Sequence, residues 1–145
     1  MKKYAGIWLD HREAFVVSFT KNQPFVDGNQ EMIERIESDM ERRVRLSGGS
    51  RTRKTPYGPQ DISVDSKQED RIKRQLREYY KEILLRISNA DQILIFGPGE
   101  AKNELKKEIE KSKELARKLK KIESADKMTR RQIAAKVRGF FKPYF

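Results

Sequence analysis

The chain has 145 residues, the size of one domain with a single hydrophobic core. Its 33 Lys and Arg residues outnumber its 22 Asp and Glu residues, and the net charge of +11 favours an anionic partner, nucleic acid first. It has no cysteine, which excludes disulfides and thiolate metal sites, and no apolar run approaches the roughly 20 residues of a membrane helix. We expect a cytoplasmic protein without a signal peptide and without a membrane partner.

The first third of the chain has the pattern of an antiparallel sheet. Two apolar, β-prone runs, residues 4–9 and 14–19, are separated by a short polar segment, which predicts a hairpin that turns at residues 10–12. Residues 22–29 have the composition of a loop. The segment EMIERIES, residues 31–38, predicts a third strand, although a short helix fits its pattern almost as well.

Helices and strands then alternate. Apolar residues spaced by three or four predict an amphipathic helix over about residues 66–88. The continuously apolar segment QILIF, which ends at Gly97-Pro98-Gly99, predicts a short buried strand. A helix over about residues 100–119 and a strand in KKIESAD, residues 120–126, follow.

A last helix is predicted after Thr129, which has the spacing of a capping box with Gln132. Its inner face would be formed by Ile133, Val137, Phe140 and Phe141. The resulting order, β-β-β-α-β-α-β-α, is an antiparallel meander followed by two right-handed crossovers. It predicts an α/β fold with a mixed sheet of ribonuclease-H-like architecture, formed by residues 1–145 as a single domain.

The segment RRVRLSGGSRTRKTPYGPQD, residues 42–61, lacks the apolar periodicity of a core element. Its first part, residues 42–54 (the basic segment), has six basic residues and no acidic one: Arg42, Arg43, Arg45, Arg51, Arg53 and Lys54. A solvated insertion without a ligand would not require this imbalance. Basic side chains on a flexible backbone can reach several phosphates and become ordered on contact. We therefore predict a mobile RNA-binding loop over about residues 40–65.

Metal-dependent chemistry has weaker support in the sequence. A two-metal nuclease needs several carboxylates at the strand ends, and beyond Asp10 only Glu69 and Glu100 are candidates. Aspartate is also common in hairpin turns because its side chain bonds to the local backbone. His11 is the only histidine, and without cysteine it does not indicate a zinc site. We expect neither a metal nor a cofactor.

Two other segments have features of anion binding. The turn FGPGE places a helix N-terminus after a strand, but such a turn needs small residues in any case, and Glu100 would complement the helix dipole by itself. Near the C-terminus lie two basic clusters, Lys127/Arg130/Arg131 and Arg138/Lys142. Tyr144 and Phe145 beside them could stack on bases or dock on the fold.

Taken together, these segments give the chain a family resemblance. It resembles the middle domain of the archaeo-eukaryotic peptide-chain release factors and of the ribosome-rescue factor Pelota, as found in small stand-alone bacterial relatives. In that family a Gly-Gly-Gln loop precedes a long basic helix, a strand with a small-residue turn, and another helix. Here RLSGGS precedes KQEDRIKRQLREYYKEIL and QILIFGPGEAKNELKKEI, so the resemblance covers nearly the whole chain. It implies a translational-machinery-component fold and a role in translation.

The family's loop motif is matched only in part. Gly48 and Gly49 match the paired glycines, but Ser50 stands where the family has the glutamine that helps to place water on the peptidyl-tRNA ester. Gln60 lies in the same predicted loop at a different spacing. Gly48, Gly49 and Gln60 are therefore the candidates for a hydrolytic site, whereas Pelota-type domains lack the glutamine and act in rescue without hydrolysis.

The resulting prediction is a translation-associated protein that contacts ribosomal RNA through the basic segment, in ribosome rescue or peptide release. Binding is favoured over catalysis, and the sequence leaves enzymatic activity open, with peptidyl-tRNA hydrolysis as the reaction it would have. The alternatives are a peptidyl-tRNA ester hydrolase and, less favoured, a metal-dependent ribonuclease. The expected partner is the ribosome or a structured RNA. The sequence does not distinguish this from an adaptor that binds another protein.

Overall fold

A computed structural model of the chain describes residues 2–20, 32–38 and 58–144, with only the backbone of Met32, residues 58–66 and Tyr144. The basic segment, the predicted loop at residues 22–29 and Phe145 lie outside these residues. No helix in the described part of the chain combines the length and the apolar character that crossing a membrane would require.

Five strands form one mixed sheet in the order β3-β2-β1-β4-β5. The antiparallel strands are β1 (Lys3–Leu9), β2 (Glu13–Thr20) and β3 (Met32–Glu37), and the strands parallel to β1 are β4 (Gln92–Gly97) and β5 (Leu119–Ser124). The predicted hairpin, the third strand and the short apolar strand are confirmed. β1 lies at the centre, and its run of six buried residues is typical of a strand covered on both faces.

Helices cover both faces of this sheet. They are α1 (Gly58–Ile87), α2 (Ala101–Glu110), α3 (Lys113–Lys118) and α4 (Arg130–Phe141), followed by a 3₁₀ turn, Lys142–Tyr144. Because side chains alternate along β1, Ile7 and Leu9 face the layer of α1 and α2, whereas Tyr4 and Trp8 face α4. Two buried clusters therefore form the core, one on each side of the sheet.

The start of α1 differs from the prediction. The helix begins at Gly58 rather than near residue 66, so the connection from β3 is shorter than predicted. Pro59 is compatible with this start, because a proline in the first turn does not disturb a helix whose first N–H groups have no intrahelical partner.

The predicted helix over residues 100–119 is two helices. Ser112 is extended between them, and its hydroxyl accepts the Leu115 N–H at 3.3 Å as the N-cap of α3. Leu119 belongs to β5, not to a helix. Over residues 2–20, 32–38 and 58–144 the order is therefore β-β-β-α-β-α-α-β-α, which differs from the predicted order by one short helix.

The capping box of α4 is confirmed. Thr129 Oγ1 accepts the Gln132 N–H at 3.2 Å, and Gln132 Oε1 accepts the Thr129 N–H at 2.9 Å. Ile133, Val137 and Phe141 are buried as predicted. Phe140 is partly buried against the same cluster.

Candidate nucleic-acid interface

The segment that carries the basic residues leaves the described structure at one end of the sheet. Ser38, which follows β3, donates its N–H to the Arg12 carbonyl at 2.9 Å and its hydroxyl to the His11 carbonyl. The chain resumes at Gly58 with α1. Ser38, the last described residue before the basic segment, therefore lies beside the hairpin turn, at the carboxyl end of β1 and of its parallel neighbour β4.

The hairpin turn uses its carboxylate for its own geometry. Asp10 Oδ1 accepts the N–H groups of Arg12 at 2.8 Å and of Glu13 at 2.9 Å. Glu69 lies on an exposed part of α1, and Glu100 Oε2 accepts from the Asn103 amide at 3.1 Å. Within the described ranges no three His, Asp or Glu side chains converge on a point where a metal could bind. The carboxylates of the nuclease interpretation are thus not brought together.

A polar cluster fixes the helices to this end of the sheet. His11 Nε2 lies 3.2 Å from Glu104 Oε1, which also accepts from the Tyr80 hydroxyl at 2.6 Å. The Tyr79 hydroxyl donates to the Asp10 carbonyl at 3.0 Å. Burial raises the pKa of both tyrosines, and the hydrogen bond to Glu104 raises the pKa of Tyr80 further, so both hydroxyls stay protonated donors.

This cluster was missed by sequence reasoning. The helical spacing placed Tyr79 and Tyr80 on the inner face of α1, but their partners lie 69 and 24 residues away in the chain. No local pattern could have indicated these contacts. They stabilise the end of the sheet from which the basic segment leaves.

The FGPGE turn is explained by its own packing. Gly97 has a φ of 151° and Gly99 a φ of 63°, which favour glycine. A Cβ on Gly97 would lie 2.2 Å from the Leu9 carbonyl oxygen, so the turn approaches β1 as closely as a glycine allows. Lys102 donates to the Gly99 carbonyl, and Glu100 occupies the N-cap position of α2. The small residues are therefore required without any bound anion.

The first of the two C-terminal basic clusters lies at the same end of the sheet. Trp8 Nε1 donates to the Asp126 carbonyl at 3.1 Å, which places the chain before α4 at the carboxyl end of β1. The Arg130 guanidinium carbon lies 5.3 Å from the centre of the Phe15 ring in β2. Lys127 and Arg131, on either side of Arg130, are exposed.

The predicted site residues have different outcomes. Arg42, Arg43, Arg45, Arg51, Arg53 and Lys54 lie outside the described residues, as do Gly48 and Gly49, so their roles stay predictions. Gln60 lies in the first turn of α1. The prediction that Gln60 lies in the loop was wrong, because α1 begins at Gly58 and not near residue 66.

Comparison with known proteins indicates the type of fold. No protein-family model matches the sequence, and no curated protein matches it. The chain is similar to the crystal structure of the Thermoplasma acidophilum Pelota protein, with a TM-score of 0.50 and 13% identity over 98% of this chain and 32% of that one. The values for Archaeoglobus fulgidus Pelota are 0.50 and 10%, over 98% and 36% of the two chains.

An archaeal translation termination factor is also similar, with a TM-score of 0.43 and 11% identity over 98% of this chain and 39% of that one. The chain spans about a third of the length of the two Pelota proteins. At these identities the likeness concerns the fold. The chain has the mixed α/β fold, with its five-stranded sheet, of a domain found in Pelota.

Proposed function

We propose that this protein acts in translation, in ribosome rescue or peptide release, by binding ribosomal RNA through the basic segment. The observation that carries the proposal is the likeness of nearly the whole chain to a Pelota domain. In this proposal the fold is of the ribonuclease-H-like, translational-machinery-component type. The sequence separately predicted a translation factor, from the order of elements and the Gly48-Gly49 pair.

Charge gives independent support for an RNA partner. The basic segment has six positive residues and no negative one within a chain whose net charge is +11. Ser38, four residues before this segment, is bonded to Arg12, which is exposed, at the end of the sheet where Lys127 and Arg131 are exposed as well. Positive charge from separate parts of the chain is thus available at one end of the molecule, where a polyanion would be attracted.

Hydrolysis of peptidyl-tRNA has less support than binding. Ser50 follows the glycine pair where the resemblance would require glutamine, and Gln60 belongs to the first turn of α1. Placing a water molecule on an ester depends on the exact position of the side chain, so a glutamine at another point of the chain does not replace the missing one. We therefore propose a binding role and not an ester hydrolase.

Ribosome pelleting tests this proposal. We expect the variant R51A/R53A/K54A to lose most of its sedimentation with ribosomes, and binding of the unchanged protein to weaken steeply with salt, because each phosphate contact releases counterions. The matched control is K106A/K107A/K120A, which removes three exposed charges from α2 and β5. Circular dichroism should show the same fold in all three proteins. A loop variant that pellets as fully as the unchanged protein would show that the basic segment is not the contact.

A further inference from the structure

We propose that α4 carries a second contact for RNA phosphates, which continues from the end of the sheet where the basic segment leaves. The contact surface, here called the α4 outer face, consists of Arg131, Ala135, Arg138, Gly139 and Lys142. The inference rests on the proposed function for its partner, RNA. It uses different residues, so the two can fail separately.

The C-terminal part of the chain is as free of acidic residues as the basic segment. Residues 127–145 include six basic residues and no Asp or Glu: Lys127, Arg130, Arg131, Lys136, Arg138 and Lys142. Residues 100–126 before them combine nine basic with seven acidic residues, the mixture of an ordinary solvated surface. The excess of basic residues therefore begins in the segment just before α4 and continues through this helix. The segment that contains α2 and α3 does not share it.

Three of the cations on α4, Arg130, Lys136 and Arg138, have interaction partners. Lys136 Nζ lies 2.7 Å from Glu123 Oε2, and the guanidinium of Arg130 lies over the Phe15 ring. Arg131 and Lys142 are exposed, and neither has a carboxylate within 4.0 Å among the residues that the structure describes. Their charge is therefore available to an external anion.

Arg131 is also unfavourably placed with respect to its own helix. α4 begins Arg130-Arg131 and has no acidic residue in its first turn, whereas α2 and α3 have Glu104 and Glu114 there. The N-terminal end of a helix is partly positive, so a cation in this turn is repelled by the helix dipole. A bound phosphate would offset this repulsion. Lys142 follows the C-terminal end of α4, where the helix dipole favours a cation in any case. Arg131 is therefore the stronger evidence for a bound phosphate.

The spacing of the α4 outer face suits an extended polyanion. Residues 131, 135, 138 and 142 follow at intervals of four, three and four, which places them in one row along the helix. At 1.5 Å per residue the row is about 16 Å long, a length over which a nucleic acid presents several phosphates.

Small, exposed residues lie in and beside the middle of this row. Ala135 and Gly139 are exposed, and a Cβ on Gly139 would have no atom within 4 Å. The packing of the chain therefore does not require a glycine there, although glycine is unfavourable inside a helix relative to alanine. The small residues Ala135 and Gly139 beside Arg138 let a phosphate backbone approach the helix closely.

The α4 outer face and the basic segment can serve one RNA molecule. The start of α4 lies at the carboxyl end of β1, where Trp8 bonds to Asp126 and where Ser38, four residues before the basic segment, bonds to Arg12. Its far end lies at the start of β1, where the Phe141 ring centre is 5.0 Å from that of Tyr4. The α4 outer face therefore extends along the length of β1, and an RNA bound at the basic segment could continue along it.

Filter binding of purified ribosomal RNA at a series of salt concentrations tests this inference. The variant R131Q/K142Q should bind on the order of tenfold more weakly at moderate salt, and the slope of log K against log salt should fall by about 1 to 2, because two phosphate contacts are lost. The control K106Q/K107Q removes two exposed charges from α2, on the other side of the sheet, and should change neither value. Gly139→Gln adds bulk without charge and should also weaken binding, with no loss of thermal stability.

The outcomes separate the two proposals. An unchanged slope in R131Q/K142Q, with binding lost in R51A/R53A/K54A, would overturn the α4 contact and leave the proposed function standing. Binding lost in R131Q/K142Q but kept in R51A/R53A/K54A would support α4 and contradict the basic segment. If the unchanged protein does not bind the RNA, RNA is not the partner of the α4 outer face. The same conclusion follows if polyglutamate, added at the same concentration of negative charge as the RNA, displaces it.

Discussion

At the scale of single residues, Glu123 joins the last strand to the last helix. Its carboxylate accepts from Lys136 at 2.7 Å and from Lys121 at 2.9 Å. These hydrogen bonds, that of Lys136 above all, hold the pKa of the Glu123 carboxyl below its ordinary value of 4.5. A carboxyl with a lowered pKa in the folded state stabilises the protein above its unfolded pKa, and this contribution is lost as the pH falls through the folded pKa.

Glu123→Gln should therefore lower the free energy of unfolding in a pH-dependent way. We expect a loss of about 1 kcal/mol or less at neutral pH, since the pair is partly exposed. The difference from the unchanged protein should shrink at an acidic pH below the folded pKa of Glu123, where the carboxylate is protonated in both states. Urea unfolding at the two pH values measures this. A difference that is the same at both would mean that the ion pairs do not hold α4 to β5.

At the scale of elements, two glycines provide a matched comparison. Gly97→Ala should destabilise the protein by several kcal/mol or prevent folding, because the added Cβ would lie 2.2 Å from the Leu9 carbonyl at a φ that favours glycine. Gly139→Ala should stabilise it by up to about 1 kcal/mol, because the Cβ would meet nothing and alanine favours the helix. Thermal unfolding of both variants measures this. Similar effects at the two positions would contradict the close approach of Gly97, at the end of β4, to Leu9 at the end of β1.

The elements with local signals were predicted from the sequence. The hairpin follows from two apolar runs around a polar turn, and the start of α4 follows from the spacing of Thr129 and Gln132. The wrong boundaries have local causes as well. Pro59 is compatible with a first helical turn, and Ser112 caps a helix in the middle of an uninterrupted helical pattern. A proline can precede a helix or stand in its first turn, and a serine can lie inside a helix or cap the next one. Neither residue indicates by itself which of these roles it has.

At the scale of the whole molecule, two acid-free basic segments, residues 42–54 and 127–145, are separated by about half of the chain. Both were visible in the sequence. Their relation was not, because it depends on hydrogen bonds between distant residues, that of Trp8 to Asp126 and that of Ser38 to Arg12. The parallel pairing of β1 with β4 determines which end of the sheet they share.

The measurement that tests the central claim most directly is ultraviolet cross-linking of the protein to RNA in cells, with the attached peptides identified by mass spectrometry. We predict cross-links to ribosomal RNA within residues 42–54, reduced in R51A/R53A/K54A and retained in K106A/K107A/K120A. Cross-links confined to the layer of α1 and α2, or their absence from a protein that is folded and expressed, would contradict a role in which the basic segment contacts ribosomal RNA.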